Sequence, residues 1–472
     1  MSRACNIILI TIDALRADHL SCNNYPRKTT PFMDSLSKKG VFYKNCISNA
    51  PYTTASLKAL HTSTYPLLPR ESYTDISKRL TLAEVLRAHG FLTIGIHSNP
   101  WLSLYRFNKG FVVFKDPLEE YTKNFSKAHK VIKKIIDFFS SKLDERSAVR
   151  RLFRRIYYRL FEYEPFYARA EEINDAISLL LSKISALKNK KKLFLWVHYM
   201  DTHEPYVPKH FYFCKKIEYY EIQKLMEKRI NNPEAISEKE KRLIKDLYDS
   251  EIRYVDENLK KLIDYLSEIL DFERTILVIT SDHGEALGER GVYGHGGCNR
   301  KILFTDALLK VPLIFWSENT DIMQNLTYDL EIKEADSNKL IGLIDLAPTI
   351  LDLVNIRPPH SFLGKSFKNF SRDAIISQGI QCYDPNQQKY FKYGERIHSY
   401  RTKKYKLIYY ESSKKVELYD LTEDPIEERN IYNERTHIAI ELKKKLIKEL
   451  ERIRIQSFKT SISKSISRTH KL

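Results

Sequence analysis

Glycine and proline are scarce in this chain of 472 residues, which contains 14 glycines and 17 prolines. That content excludes a collagen-like protein or one built mainly of linkers. The six cysteines lack Cys-x-x-Cys spacing, which argues against a zinc ribbon or a disulfide framework. The longest apolar runs, such as Ile7–Ile12 and Leu193–Val197, fall far short of the roughly 20 residues that a membrane-spanning helix requires. We therefore expect no transmembrane segment.

The N-terminal sequence also lacks the features of an export signal. Its short apolar run ends at Asp13, without a small-residue cleavage site, and indicates a buried strand. The three Asn-x-Ser/Thr sequons consequently carry no weight as glycosylation sites. The sequence predicts a soluble, cytoplasmic protein.

Acidic residues are fewer than basic residues, with 60 Asp and Glu against 78 Lys and Arg. The imbalance is concentrated in residues 123–169, which hold 13 basic and 5 acidic residues. This segment is either a solvated helical face or an attractor for an anion, such as a phosphorylated or sulfated substrate or a lipid surface. In the second case we expect it to be helical and to lie beside the binding site. No zinc-finger, RRM or helix-turn-helix signature is present, so we expect no nucleic-acid partner.

Short β-branched apolar runs alternate with longer helical patterns along the chain. The predicted strands are Asn6–Ile12, Leu92–His97, Leu193–Val197, Thr275–Ile279 and Leu313–Phe315. The predicted helices are Thr54–His61, Leu80–Ala88, a long stretch over about 126–185, and 236–270. This alternation predicts an α/β fold in which helices sandwich a central, mostly parallel sheet.

The pattern changes beyond about residue 370, which predicts two structural units. Residues 1–370 form the predicted catalytic domain, with the basic helical stretch of about 123–190 as an insertion. Residues 371–456 form a smaller α+β subdomain, with strands at Ser399–Tyr410 and Val416–Asp420 and a helix near 436–453. Residues 457–472 are rich in Ser and Lys, contain no acid, and predict a mobile basic tail.

Polar residues follow three of the apolar runs, at the point where each strand ends. Asp13 follows the first strand, Asp282 and His283 follow a later one, and the sequence from Asp201 to His203 follows a third. In open α/β sheets, ligands bind beyond the carboxyl ends of the strands. Two carboxylates and one imidazole together suit a hard or borderline divalent cation.

Five ordered motifs carry a family resemblance. They are the segments Asn6–Leu20, Thr280–Gly296, Leu308–Phe315, Asp345–Leu353 and Glu417–Asn430. The second of these segments contains the sequences Asp-His-Gly-Glu and Gly-His-Gly. These motifs resemble the sulfatase family of the alkaline phosphatase superfamily over most of the chain. The resemblance implies an alkaline-phosphatase-like fold and an ester hydrolase or transferase. It also implies that Asp13, Asp282 and His283 bind one divalent metal, and that His203 and His295 contact the substrate or protonate the leaving group.

The nucleophile segment departs from the sulfatase pattern. Sulfatases carry Cys or Ser followed by x-Pro-Ser-Arg, and that first residue matures to formylglycine. Here Thr53 occupies its position, Ala55 replaces the Pro, and Leu57 replaces the Arg. Threonine cannot become formylglycine, so we expect that group to be absent. A threonine at this position instead resembles the pattern of lipoteichoic acid synthases and phosphoethanolamine transferases. That resemblance implies that the Thr53 hydroxyl is both nucleophile and metal ligand.

Physical chemistry leaves two explanations of Thr53 open. At the start of a helix, a metal-bound hydroxyl gains nucleophilicity, and the free N–H groups favour an incoming anion. Alternatively, Thr53 or Thr54 is simply the N-cap of that helix. Lys58 and Arg16 are further candidates for contact with an anionic substrate, and each could equally be a surface charge. Asn99 is a candidate for the rim of the pocket.

Three functions therefore remain open. The first is hydrolysis or transfer of a phosphate ester through Thr53, on an anionic small molecule, glycan or lipid, with possible peripheral contact to a membrane. The second is hydrolysis of a sulfate ester without formylglycine. The third is anion binding without catalysis. The sequence favours the first. The missing Cys or Ser and the missing Arg oppose the second, and the retention of Asp13, Asp282, His283, His203 and His295 together argues against the third. His198, within the strand that precedes Asp201, is interpreted as a core residue.

Overall fold

The computed structural model describes residues 6–69, 72–118, 167–184, 192–296, 301–324, 326, 338–368, 370–381 and 394–469. The strands in chain order are β1 (Asn6–Ile12), β2 (Val41–Phe42), β3 (Asn45–Ile47), β4 (Leu92–His97), β5 (Val113–Lys115), β6 (Leu193–Tyr199), β7 (Thr275–Ser281), β8 (Ala286–Leu287), β9 (Tyr293–Gly294), β10 (Lys310–Val311), β11 (Leu313–Trp316), β12 (Leu340–Gly342), β13 (Ile375–Gln381), β14 (Glu395–Arg401), β15 (Tyr405–Tyr410) and β16 (Val416–Asp420).

The helices in chain order are α1 (Pro31–Lys39), α2 (Thr53–Thr62), α3 (Leu82–Ala88), α4 (Pro100–Leu104), α5 (Ala170–Lys183), α6 (Tyr219–Asn231), α7 (Glu238–Ile269), α8 (Asp306–Leu309), α9 (Thr320–Gln324), α10 (Leu346–Leu353) and α11 (Thr436–Thr469). Within the described ranges, none of these helices has the length and apolar composition needed to cross a membrane. Of the predicted basic segment at 123–169, residues 123–166 lie outside the described residues.

A mostly parallel sheet forms the centre of the molecule. Its strand order is β2-β11-β7-β1-β6-β4-β5, and the strands from β7 to β5 are parallel. At the other edge, β11 is antiparallel to β7 and β2 is antiparallel to β11. All seven residues of β1 are buried, as expected for a parallel strand that is covered on both faces.

Helices cover both faces of this sheet. Ile8 and Ile10 of β1 contribute to an apolar cluster that includes buried residues of α7. Ile7 and Leu9 point to the opposite face and contribute to a second cluster, with residues of α2, α3 and α10. This alternation along one strand is what the pleat of a sheet requires. The predicted α/β architecture is confirmed.

The C-terminal unit is an antiparallel sheet with one packed helix. Strands β13 to β16 pair in sequence order, and Leu407 and Leu418 share an apolar cluster with Leu442 and Leu446 of α11. The prediction of one strand over Ser399–Tyr410 was wrong, because residues 402–404 turn the chain between β14 and β15. The prediction of a helix ending near 453 was also wrong. No Pro or Gly interrupts the sequence from 436 to 469, and α11 continues to Thr469 through most of the predicted tail.

Buried ion pairs join the C-terminal sheet to α8. Lys406 Nζ lies 2.5 Å from Asp306 Oδ1 and 2.9 Å from Glu427 Oε1. Arg401 also pairs with Asp306, at 2.9 Å. The Lys406 side chain is completely buried. Lys406 therefore pairs with two acidic groups, and Arg401 shares one of them, where the C-terminal sheet meets α8.

We expect Lys406→Met to lower the free energy of unfolding by roughly 3–5 kcal/mol, because it removes the buried cation that pairs with Glu427 and leaves Asp306 with Arg401 alone. Urea unfolding followed by circular dichroism measures this change. Lys445→Met is the control, since Lys445 pairs with Glu441 on the exposed surface of α11. If the two variants lost equal stability, the buried Lys406 would contribute no more than the exposed Lys445, which contradicts this expectation.

Asp256 of α7 supports the start of α1. Its carboxylate accepts hydrogen bonds from the backbone N–H groups of Phe32, at 2.8 Å, and Met33, at 2.9 Å. These groups belong to the first turn of α1 and have no partner within the helix. Burial raises the pKa of Asp256 to about 7, although the two N–H groups favour its charged form.

The raised pKa makes stability depend on pH. Because the folded-state pKa of Asp256 exceeds the ordinary value of about 3.9, the linked stability is fully present below about pH 4 and is lost as pH rises through about 7. The free energy of unfolding of the wild type, relative to Asp256→Asn, should therefore increase by about 2–3 kcal/mol as pH falls from 8 to 5. Urea unfolding at each pH measures it, with Asp264→Asn on the exposed side of α7 as control. A difference that does not change with pH would refute the assignment.

Candidate active site

Four side chains converge at the carboxyl edge of the parallel strands. Asp13 directly follows β1, and Asp282 and His283 directly follow β7. The two strands pair in parallel register, with Ile12 opposite the last residue of β7, so the residues that follow are neighbours. Thr53 is the first residue of α2. The structure thus brings together the four residues that the sequence analysis predicted to converge.

Asp13, Asp282 and His283 form a compact, fully buried cluster. One ligand atom of each lies within 4.8 Å of the others. Oδ1 of Asp13 and Oδ2 of Asp282 lie 3.7 Å and 3.5 Å from His283 Nε2. Among the described residues, neither of these two oxygens has a hydrogen-bond donor. A buried carboxylate oxygen without a donor is costly unless a cation compensates it.

The other oxygen of each carboxylate is anchored. Asp282 Oδ1 accepts from the backbone N–H of Ala14 at 3.2 Å and from the backbone N–H of His283 at 2.9 Å. Asp13 Oδ2 accepts from the Thr53 hydroxyl at 3.2 Å and lies 3.3 Å from Nε2 of His198. Each aspartate therefore has one oxygen fixed by the protein and one that faces the cluster.

The orientation of His283 is also fixed. Its Nδ1 lies 2.7 Å from the carbonyl oxygen of Gly284. A carbonyl can only accept, so Nδ1 carries the hydrogen and Nε2 presents its lone pair to the cluster. Metal-binding histidines in proteins are typically held in this way.

The charge balance favours an ionised Asp13. Burial opposes the charged form, but His203, His198 and His283 together hold the pKa of Asp13 well below its ordinary value. Burial and the charge of Asp13 both raise the pKa of Asp282. Two carboxylate oxygens that have no donor among the described residues, with an imidazole lone pair beside them, fit a divalent cation, and this donor set suits calcium, manganese or zinc.

Thr53 is not the N-cap of α2. Tyr52 occupies that position, and the Thr53 side chain instead faces the cluster. Its Oγ1 lies 3.2 Å from Asp13 Oδ2 and 3.2 Å from His283 Nε2, and the residue is 7% exposed. Capping therefore does not explain the hydroxyl, which lies at the free N–H groups that begin the helix.

Two further histidines adjoin the cluster. The His295 ring lies 4.4 Å from the His283 ring and 4.8 Å from the His203 ring, measured between centroids. His295 Nδ1 lies 3.1 Å from Oε1 of Glu285, which is fully buried. Burial disfavours the imidazolium, but Glu285 overcomes this and raises the pKa of His295 to about 9. The sequence analysis assigned no role to Glu285, although it belongs to the Asp-His-Gly-Glu motif.

The three predicted substrate contacts have other partners. Arg16 pairs with Asp18 at 2.7 Å and with Glu289 at 2.6 Å. Lys58 is fully buried and donates to two backbone carbonyls, at 3.3 Å and 2.5 Å. Asn99 accepts from the backbone two residues on and caps α4. These contacts account for all three side chains in local structural terms, and their assignment to a substrate stays a prediction.

Asp201, which follows β6, and His198, within β6, contact different groups. Asp201 lies 3.5 Å from Arg169, which also pairs with the buried Glu251. His198 is buried, as the sequence predicted, yet its Nε2 faces Asp13. No local signal in an apolar strand distinguishes a histidine that contacts a site from one that fills the core.

Comparison with known proteins identifies relatives of this chain. The sulfatase family model matches residues 5–356, and the C-terminal model of N-sulphoglucosamine sulphohydrolase matches residues 314–456. An arylsulfatase of Clostridium perfringens is 25% identical over 94% of both chains. An N-acetylglucosamine-6-O-sulfatase of Bacteroides thetaiotaomicron is 30% identical, over 38% of this chain and 30% of its own length. The phosphatidylethanolamine transferase Mcr-2 of Escherichia coli is 23% identical over 72% of this chain and 54% of its own length.

Solved structures show the same fold. A 2-O GAG sulfatase superposes with a TM-score of 0.64 at 15% identity, over 96% of this chain and 93% of its own. The phosphonate monoester hydrolase of Agrobacterium radiobacter superposes with a TM-score of 0.61 at 16% identity, over 96% of both chains. With the family model covering most of the sequence, this chain belongs to the sulfatase family of ester hydrolases and transferases.

Proposed function

We propose that this protein is a metal-dependent hydrolase or transferase that acts on a phosphate ester through Thr53 as nucleophile. The placement of Thr53 Oγ1 carries the proposal, because the hydroxyl faces both Asp13 and His283 at the start of α2. Asp13, Asp282, His283 and the hydroxyl itself would hold one divalent cation. That cation would lower the pKa of the hydroxyl and offset the charge of the substrate.

The reaction proceeds in two displacements. In the first, a bond forms between Thr53 Oγ1 and phosphorus as the bond from phosphorus to the leaving alcohol breaks, and the hydroxyl proton passes to solvent. In the second, water or another alcohol attacks the phosphothreonine and releases the phosphoryl group, which restores the threonine. The N–H groups at the start of α2 favour the incoming anion throughout.

His203 and His295 are the proposed proton donors. Both rings lie beside the cluster, and a donor placed there can protonate the departing alkoxide and stabilise charge on the equatorial oxygens. Glu285 supports this role of His295, since the adjacent carboxylate favours the protonated imidazole.

The identity of residue 53 favours a phosphate ester over a sulfate ester. Threonine lacks the chemistry that forms formylglycine, and Leu57 stands where the sulfatase motif has Arg. The resemblance to a phosphatidylethanolamine transferase and to a phosphonate monoester hydrolase supports the same choice. Sulfate ester hydrolysis without formylglycine is the second candidate, favoured by the arylsulfatase relative that aligns over nearly the whole chain. In either case the substrate is an anionic small molecule, glycan or lipid ester.

Thr53→Ala should reduce kcat by about 10³-fold or more, because the nucleophile and a cation ligand are lost together. Thr53→Ser retains the hydroxyl and should keep activity well above that of the alanine variant. Thr54→Ala on the same helix is the control and should match the wild type. Substrate trapping at low pH followed by peptide mass analysis should locate a phosphoryl group on Thr53. Turnover of Thr53→Ala at the wild-type rate would move the nucleophile elsewhere.

The choice between the two ester classes can be measured directly. We expect the wild type, assayed with calcium, manganese and zinc, to cleave an aryl phosphate or an aryl phosphodiester faster than an aryl sulfate. Chelator treatment should abolish this activity, and the preferred metal should restore it. Thr53→Cys should gain no sulfatase activity, because the formylglycine motif around it is incomplete. Faster cleavage of the aryl sulfate by the wild type would favour the second candidate.

A further inference from the structure

A series of polar contacts connects Trp196, in the aromatic part of the core, to Asp13. Trp196 Nε1 donates to Thr11 Oγ1 at 2.9 Å. Thr11 Oγ1 lies 2.8 Å from His198 Nδ1, and His198 Nε2 lies 3.3 Å from Asp13 Oδ2. Thr11 and His198 are also direct partners in the parallel register of β1 and β6. All four residues are completely buried.

The hydrogens in this series can be assigned from donor chemistry. Indole nitrogen can only donate, so Trp196 occupies one lone pair of the Thr11 oxygen. The single hydroxyl hydrogen of Thr11 can go to His198 Nδ1, at 2.8 Å, or to the carbonyl of Val197, at 3.3 Å. The Asp13 carboxylate decides between them, because it only accepts and so favours hydrogen on the Nε2 that faces it, which leaves Nδ1 as the acceptor. With Nδ1 as acceptor, the neutral His198 ring carries its hydrogen on Nε2, toward the Asp13 carboxylate.

His97 provides an internal comparison. It lies on β4 directly opposite His198 in the register and is equally buried. Neither of its ring nitrogens has a hydrogen-bond partner among the described residues, and its ring packs against Phe114 at 4.4 Å. A histidine that only fills this part of the core is therefore held by packing, whereas the His198 ring is held by a hydrogen bond at Nδ1, and its Nε2 lies 3.3 Å from Asp13 Oδ2.

We infer that Thr11, held by Trp196, is a positioning residue for the cation site of the proposed function, and that it acts through His198 on Asp13. The oriented Nε2–H occupies Asp13 Oδ2 and leaves Oδ1 directed at the cluster. Without the Thr11 hydroxyl, Nδ1 loses its hydrogen-bond partner. The ring is then no longer held in the orientation that directs Nε2–H at Asp13 Oδ2, and the Asp13 carboxylate loses its fixed position.

The test compares three variants of the full-length protein. Thr11→Val removes the hydroxyl at nearly constant volume, and Thr11→Ser retains it. Thr93→Val is the matched control, because Thr93 is buried on the adjacent strand β4 and its hydroxyl donates only to the backbone of Gly110, at 2.8 Å. The first readout is the dissociation constant for Mn²⁺, measured by chelator competition. The second is the tautomer of His198 in metal-free, ¹⁵N-histidine-labelled protein, with its signal assigned by its loss in His198→Gln.

Thr11→Val should raise the Kd for Mn²⁺ by about 10–100-fold, as for other residues that orient metal ligands. Thr11→Ser and Thr93→Val should stay near the wild-type value. The wild type and Thr11→Ser should show the Nε2–H tautomer with Nδ1 accepting a hydrogen bond, whereas the Nδ1 signal in Thr11→Val should be that of an imidazole nitrogen that accepts none.

A wild-type Nδ1–H tautomer, or wild-type Mn²⁺ affinity in Thr11→Val, would overturn the inference. The wild-type spectrum alone keeps this test decisive if Thr11→Val does not fold. If the wild type shows the Nε2–H tautomer but binds no divalent cation, the positioning of His198 by Thr11 is supported and the metal site of the proposed function fails.

Discussion

The burial of two carboxylates in one cluster is the constraint on which the site depends. Asp13 and Asp282 are both inaccessible to solvent, with ligand atoms within 4.8 Å of one another. Like charges this close in a low-dielectric interior repel strongly, and each also loses its hydration. The surrounding groups therefore serve to hold charge in place: imidazoles lie beside Asp13, and backbone N–H groups bind Asp282. A divalent cation bound by these groups would complete this balance.

The loop that carries His283 is supported from outside the main sheet. The N–H groups of Gly284 and Glu285 donate to carbonyls in α8, at 2.7 Å and 3.1 Å. A side chain at position 284 would collide with the carbonyl oxygen of Ala307, so the close approach requires glycine. The start of α8 is in turn held through Asp306 by the buried cations of the C-terminal sheet. The smaller unit thus contributes to the geometry of a site to which it supplies none of the clustered ligands.

Within this framework, threonine at position 53 leaves the architecture unchanged, and the proposed difference from the sulfatase pattern is one of chemistry. The helix start, the anchored carboxylates and the adjoining histidines form a setting in which a hydroxyl faces Asp13 and His283 directly. A relative of this chain is named an arylsulfatase, and a protein of the same fold is named a phosphonate monoester hydrolase. Sulfate and phosphate esters present similar tetrahedral anions, so a single residue at the proposed nucleophile position would be enough to shift the choice between them.

The sequence by itself determined the strands, the family and the clustered ligands. Each core strand is a continuous apolar run, and the aspartates follow two such runs directly, so their meeting at one sheet edge could be predicted from parallel pairing alone. It did not reveal the turn at 402–404 or the contact of His198 with Asp13. Both depend on which strand pairs with which, and in what register. Thr11 faces His198 only because β1 and β6 pair in parallel, and that choice is made by packing between segments more than 180 residues apart.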